Sequence, residues 1–205
     1  MTRAEVTIAI ASEDLVRHYA RMGERNARRL LPRLWPCVAL LALAACSTPP
    51  DPISQPSGSG AICMPASVRP VTEGETVLRN TGSAPVVITN VVLRNAQGIK
   101  LVDTRVFVFP DVGAYNLIGA LNHYPPATGP TNGTSDVIPW SAGSAVPGAV
   151  LPADTQMLAN VVVGLRRNSG GTGRSDGLDV YYTSAGVDYV YHGQVAIELS
   201  DGPCS

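Results

Sequence analysis

The chain has little positive charge outside its N-terminal segment. Its one lysine, Lys100, accompanies 14 arginines, and the part after residue 45 carries eight basic against twelve acidic residues. Nucleic-acid-binding surfaces depend on clustered Lys and Arg, and membrane-surface helices on a basic face. The composition therefore argues against a nucleic-acid partner and against a cationic amphipathic helix.

Residues that carry catalytic chemistry are also scarce. After the N-terminal segment the histidines are His123, in a predicted loop, and His192, on the polar face of a predicted strand. The sequence contains no H-E-x-x-H pair and no phosphate-binding loop. We therefore predict no catalytic activity and no cofactor.

One long apolar run is present, and it is short for a membrane span. It covers the 12 residues Leu34 to Ala45, follows a segment rich in arginine, and is interrupted early by Pro36. A transmembrane helix needs about 20 apolar residues. A charged segment, a short apolar stretch and small residues at its end are typical of a secretory signal peptide.

The end of this run, Leu43-Ala44-Ala45-Cys46, resembles the lipobox of bacterial lipoproteins. The resemblance implies that Cys46 is acylated, that the preceding helical signal segment is removed, and that the protein is anchored to a membrane outside the cytoplasm. Met22 would start a signal of ordinary length, so we divide the N-terminal part into an extension, 1–21, and a signal peptide, 22–45. Either Met1 or Met22 can be the true start.

Two cysteines remain for the folded part. Cys63 lies near its beginning and Cys204 near the end of the sequence. Two thiols in an oxidising compartment usually pair, the alternative being two free or buried thiols. A Cys63–Cys204 bond would close a loop of about 140 residues, for which the chain-entropy model gives about 4–5 kcal/mol of stabilisation.

The rest divides into a tether, 46–60, rich in Pro, Ser and Gly, and a domain, 61–205. Alternating apolar residues predict strands at 77–80, 86–93, 102–108, 157–165 and 178–183, and one further strand from Val187 to Leu199. Ser184-Ala185-Gly186 is predicted to close a hairpin, and a phase slip at Thr89-Asn90 predicts a bulge. The fold class is therefore all-β, an antiparallel β-sandwich of about 7–9 strands.

A second resemblance lies within these strands. Asn80-Thr81-Gly82 followed by Pro85, Val86, Ile88, Val91 and Leu93 is similar to the strand–turn–strand of bacterial Ig-like surface modules of the ASH and CARDB type. It implies an Ig-like sandwich, a fold that serves adhesion, scaffolding and presentation without a fixed chemistry.

The stretch from Pro110 to Pro152 has seven prolines and is too long for an ordinary connection. Its polar and aromatic side chains make it the predicted partner-binding segment, unless the rings only pack over an open end of the sandwich. The candidate binding residues are Tyr115, His123, Tyr124 and Trp140.

A glycine-rich segment from 170 to 176 imitates a calcium-binding repeat. Its acidic residue, Asp176, comes one position late and the motif does not repeat. With Asp179 nearby, a surface calcium site is one interpretation, but we favour a flexible loop that leads into a strand at Gly177.

These observations lead to two functional hypotheses. The first is a lipid-anchored protein of the cell envelope, with a binding or structural β-sandwich and an envelope protein or glycan as partner. The alternative is an envelope enzyme or calcium-dependent factor that uses the 110–152 or 169–179 loops.

Overall fold

A computed structural model describes residues 50–56, 58–65, 69–111, 117–130, 137–168 and 171–204. Cys46 and the signal segment therefore lie outside the described residues. The strands are β1 (Ile53–Ser54), β2 (Gly60–Pro65), β3 (Val71–Asn80), β4 (Val86–Leu93), β5 (Ile99–Pro110), β6 (Ser144–Ala145), β7 (Ala149–Leu151), β8 (Met157–Arg167), β9 (Gly173–Ser175), β10 (Leu178–Ser184), β11 (Val187–His192) and β12 (Val195–Ser200), with one 3-10 turn at Trp140–Ala142.

The strands form three sheets, and the predicted all-β sandwich is confirmed. A five-stranded sheet has the order β1-β3-β8-β5-β6, and a four-stranded sheet has the order β11-β10-β4-β7. A smaller sheet, β2-β12-β9, includes one parallel pair, since β2 and β12 run in the same direction. Eight strands have six residues or more, and the other four have two or three.

The main core lies between the sheets. The five-stranded sheet contributes residues such as Leu78, Val161 and Val163, the four-stranded sheet Ile88 and Tyr182, and the small sheet residues of β12, all of them buried in one cluster. This is the apolar face that the two-residue periodicity predicts for each strand.

A second core lies on the other face of the five-stranded sheet. It is formed by Val77, Phe107, Phe109, Ile118, Leu158 and Val162. We predicted that β8 buries one face, with Met157, Ala159, Val161, Val163 and Leu165 inward. Residues 158 to 165 are all buried, because β8 is the central strand and both of its faces are covered.

Two local predictions are confirmed by the pairing of the strands. β10 and β11 form a hairpin through Ala185 and Gly186, whose φ angles of 51° and 78° are those of a type I′ turn. Between β4 and β10 the register shifts where Ile88 and Asn90 face consecutive residues, so Thr89 is the bulged residue.

Other local predictions are wrong. The strand predicted from Val187 to Leu199 is two strands in different sheets, β11 and β12, separated by Gly193 and Gln194. The Gly193 amide still bonds the Leu178 carbonyl of β10, whereas the Gly193 carbonyl accepts a hydrogen bond of 2.7 Å from Arg94, which fixes the chain where it leaves the hairpin.

A second correction concerns β5, where Val102 was expected to face inward with Thr104, Val106 and Val108. The register shifts between Leu101 and Asp103, so Val102 is a bulged residue with 44% of its surface exposed. A third concerns the loop before Gly177. Its last part, Gly173–Ser175, is strand β9, which pairs with β12.

The tether is also shorter than predicted. The compact unit begins at Asp51, and β1 pairs with the end of β3. Ile53 is buried, and the Asp51 carboxylate accepts a hydrogen bond from the Tyr182 hydroxyl. Residues 51–55 therefore belong to the sandwich, because their polar and apolar side chains find partners in it.

The predicted disulfide is present. Cys63 in β2 and Cys204 beyond β12 are bonded, with their Cα atoms 5.6 Å apart and 141 residues apart in sequence. It reinforces the parallel pair β2–β12, in which Gly60 faces Val195 and Pro65 faces Ser200.

We predict that replacing both cysteines by serine lowers the free energy of unfolding by about 4–5 kcal/mol, because the unfolded chain then loses a large loop constraint. Urea denaturation of the oxidised protein and of the double variant measures this. Reductant should destabilise the parent protein and leave the variant unchanged, whereas two alkylatable thiols in the native, unreduced parent would contradict the bond.

Candidate functional site

The predicted binding segment lies on the outer face of the five-stranded sheet. Of the predicted segment Pro110–Pro152, we call residues 117–130 and 137–143 the covering segment. Thr72 in β3 and Leu121 exchange two backbone hydrogen bonds of 2.9 Å. Asn160 in β8 accepts a bond of 3.1 Å from the Ile118 amide and donates one of 2.6 Å to the Gly74 carbonyl. Asn160 is fully buried, and its side-chain amide joins the covering segment to β8 and to β3.

Two aromatic rings of the covering segment pack together on this sheet. Trp140 lies with its ring centroid 5.2 Å from that of Phe107, and Tyr124 meets Trp140 edge-on at 5.7 Å. The Tyr124 ring lies flat on Gly164 of β8, where a Cβ atom would come within 2.9 Å of the ring. The absence of a side chain at Gly164 therefore creates the place for this ring.

The hydroxyl of Tyr124 donates a hydrogen bond of 2.7 Å to the Asp103 carboxylate in β5. Burial, followed by this bond to a carboxylate, raises the pKa of Tyr124. The hydroxyl therefore stays protonated at physiological pH and acts as a donor that fixes the ring.

The four candidate binding residues differ in their environment in the structure. Tyr115 lies outside the described residues. Tyr124 and Trp140 are brought together, and both are half-buried. His123 is exposed, and its backbone carbonyl accepts a hydrogen bond from the Thr72 hydroxyl. Packing over the sandwich, the alternative that the sequence left open, is therefore the arrangement of the two rings, and partner binding by this segment stays a prediction.

Exposed apolar side chains lie on the outer face of the four-stranded sheet. Val150 and Tyr181 are 49% and 41% exposed. Val150 pairs with Val87, and Tyr181 pairs with Val190, so a half-buried valine lies beside each of the two exposed side chains. Sequence reasoning missed this surface because β4 was not known to lie between β10 and β7 in one sheet.

The two candidate calcium ligands do not form one site. The Asp179 carboxylate is bonded at 3.1 Å by Arg94 and at 2.8 Å by the His192 ring, and Asp176 accepts a bond of 2.8 Å from Asn95. Calcium requires several oxygen ligands around one point. Within the described ranges no three His, Cys, Asp or Glu side chains form a group suited to a metal ion. The Asp179 cluster therefore serves to join β4, β10 and β11.

Glu73 is a buried acid that the sequence analysis did not single out. It is fully buried, the Glu75 amide donates a bond of 2.8 Å to its Oε1, and its Oε2 has no hydrogen-bond partner among the described residues. Desolvation raises the pKa of Glu73 to about 7, outweighing the Glu75 amide bond, which lowers it. The neighbours of Glu73, Thr72 and Gly74, are polar or small and give no sign of burial, yet nearly every residue of β3 is buried.

In the part of the chain that the structure describes, no helix has the length and apolarity of a membrane span. Compared with protein-family models and with curated proteins, the chain matches none.

We predict that Trp140→Ala lowers the free energy of unfolding by roughly 2–3 kcal/mol, because it removes a half-buried ring from the second core. Tyr124→Phe keeps the ring and removes only the bond to Asp103, which costs about 1 kcal/mol. Urea denaturation measures both. A Trp140→Ala protein as stable as the parent would show instead that the ring is available to a partner.

We predict that Glu73 makes the protein less stable as the pH rises. Its carboxyl is protonated up to about pH 7 in the folded state but only up to about 4.5 when unfolded. The stabilisation that comes with the protonated carboxyl is therefore complete below pH 4.5 and is lost as the pH rises through 7. By pH 9 the free energy of unfolding has fallen by about 3 kcal/mol.

Glu73→Gln should remove this dependence. The free energy of unfolding of the variant, measured by urea denaturation, should therefore rise relative to that of the parent between pH 4.5 and 9. Glu75→Gln is the matched control and should retain most of the slope. Parallel stability curves for the parent and Glu73→Gln would show that Glu73 does not titrate in this range.

Proposed function

We propose that the protein is a lipid-anchored protein of the cell envelope whose β-sandwich is a binding or structural module without catalytic activity. The observation that carries the proposal is the sequence Leu43-Ala44-Ala45-Cys46 at the end of a short apolar run behind a basic segment. A diacylated or triacylated cysteine anchors a protein stably, whereas one chain gives only marginal binding.

The disulfide supports an extracytoplasmic location. Bonds such as Cys63–Cys204 form and persist in oxidising compartments and are rare in the cytoplasm. The Asp51 carboxylate is engaged by Tyr182, so the free spacer after Cys46 is short. Five residues reach at most about 17 Å, which would keep the sandwich close to the membrane that holds the lipid.

The contact surfaces support a module that recognises or arranges other molecules. Tyr181 and Val150 are exposed on one sheet, and the covering segment presents the exposed His123 on the other. We propose an envelope protein or an envelope glycan as the partner class, since aromatic and aliphatic surface flanked by polar groups suits both.

We predict that Cys46→Ala releases the protein from the membrane fraction and abolishes its labelling by a radioactive fatty acid, because the acceptor thiol is gone. The full chain is expressed in bacteria that process lipoproteins, and fractions are compared by immunoblot. Cys37→Ala, within the signal segment, is the matched control and should be labelled and retained like the parent. A Cys46→Ala protein that stays wholly in the membrane with unchanged mobility would refute the anchor.

A further inference from the structure

Strand β11 is a long edge strand, and among the described residues no strand pairs with its outer side. The five-stranded sheet ends in β1 and β6, which have two residues each, and the other edge of the four-stranded sheet is the three-residue β7. β11 has six residues, Val187–His192, with neither proline nor lysine among them. An edge of this kind is a template for pairing with another strand.

The backbone groups that β11 presents outward follow from its hairpin. In a two-residue hairpin the flanking pair, here Ser184 and Val187, exchanges hydrogen bonds, and bonded pairs then alternate. The Gly193 amide continues the pattern by bonding the Leu178 carbonyl at 2.7 Å. Residues 187, 189 and 191 therefore bond β10, and Asp188, Val190 and His192 direct their N–H and C=O groups away from the sheet.

We propose that two copies of this protein join through their β11 strands, antiparallel and centred on Val190. In this register Val190 faces Val190 of the second copy, and the outward backbone groups of both strands meet as bonded pairs. Asp188 then lies opposite His192 of the second copy, and the symmetry repeats this pair. The two four-stranded sheets become one sheet of eight strands.

The polar side chains of β11 select this register and this occupant. A carboxylate beside an imidazole across strands is a favourable pair, whereas two carboxylates that face each other destabilise a sheet. Shifting the centre by one residue places Asp188 against Val190, or Val190 against His192, and a centre on Asp188 places two carboxylates together. Among these symmetric registers, the centre on Val190 alone pairs Asp188 with His192 on both sides, so β11 is complementary to itself.

The residues of β10 that pair with β11 extend the same row of side chains across the sheet. His192 is bonded at 2.8 Å by Asp179, its pair partner in β10, and Asp188 is paired with Thr183. Across the interface the row would read Asp179, His192, then Asp188 and Thr183 of the second copy. Tyr181, 41% exposed, is beside Val190 and would flank the new valine pair.

The test is disulfide trapping in the full chain. Directly opposed residues of a bonded antiparallel pair have Cα atoms about 5.5 Å apart, within the range that a disulfide spans. Val190→Cys should therefore give a covalent dimer as the major band on non-reducing gels, and mass spectrometry should find the peptide pair joined through the two introduced cysteines. Both membrane and soluble fractions are analysed, so the result does not depend on the lipid anchor.

Two further variants control for register and chance contact. Asp188→Cys is the matched control, since the same residue of the second copy would be about 14 Å away in this register, and it should give only background crosslinking. The double variant Asp188→Cys with His192→Cys should crosslink again. Adding Asp188→Lys to Val190→Cys should reduce the dimer about tenfold, because a cation replaces the carboxylate opposite His192.

The outcomes distinguish the proposed dimer from a monomer and from a dimer with a different register. Folding of each variant is verified by the Cys63–Cys204 bond. A folded Val190→Cys protein that gives no dimer overturns the proposal, and so does a dimer formed by Asp188→Cys alone, which would mean a different register.

Discussion

The central strand β8 must bury side chains on both of its faces, and the layers of the protein follow from this constraint. Val161 and Val163 face the four-stranded sheet, whereas Leu158 and Val162 face outward. An antiparallel sheet can leave one face in water only if that face is polar. The outer face of β8 is apolar, so the chain between β5 and β6 crosses it as the covering segment and brings Ile118 and Trp140 into a second core.

This constraint explains which parts of the fold could be predicted. The hairpin at Ala185-Gly186, the bulge at Thr89 and the Cys63–Cys204 bond were predicted from turn residues, a phase slip and the number of cysteines, all of which are local or countable. The break between β11 and β12 was not, because the period-2 pattern continues through Gly193 while Arg94, distant in sequence, fixes the chain direction.

The candidate site was predictable in the same limited way. Proline content and length identified the segment that contains Tyr124 and Trp140, but periodicity cannot show that Gly164 leaves room for a ring. Glu73 shows the converse, because its sequence neighbours gave no sign that its carboxyl lies in the core with one oxygen unpaired. Both depend on which strands become neighbours, information that a single sequence lacks.

The disulfide also determines how the protein would respond to mechanical load. Tension applied between the chain before Cys63 and the chain after Cys204 passes through the sulfur–sulfur bond, since this is the shortest covalent path. The 141-residue loop that it closes, which contains the main core, therefore carries no force. Among the described residues only the segment from Asp51 to Cys63 can be peeled away, so a pulled molecule would lengthen by β1 and the start of β2 and then stop, with the strands from β3 onward still paired.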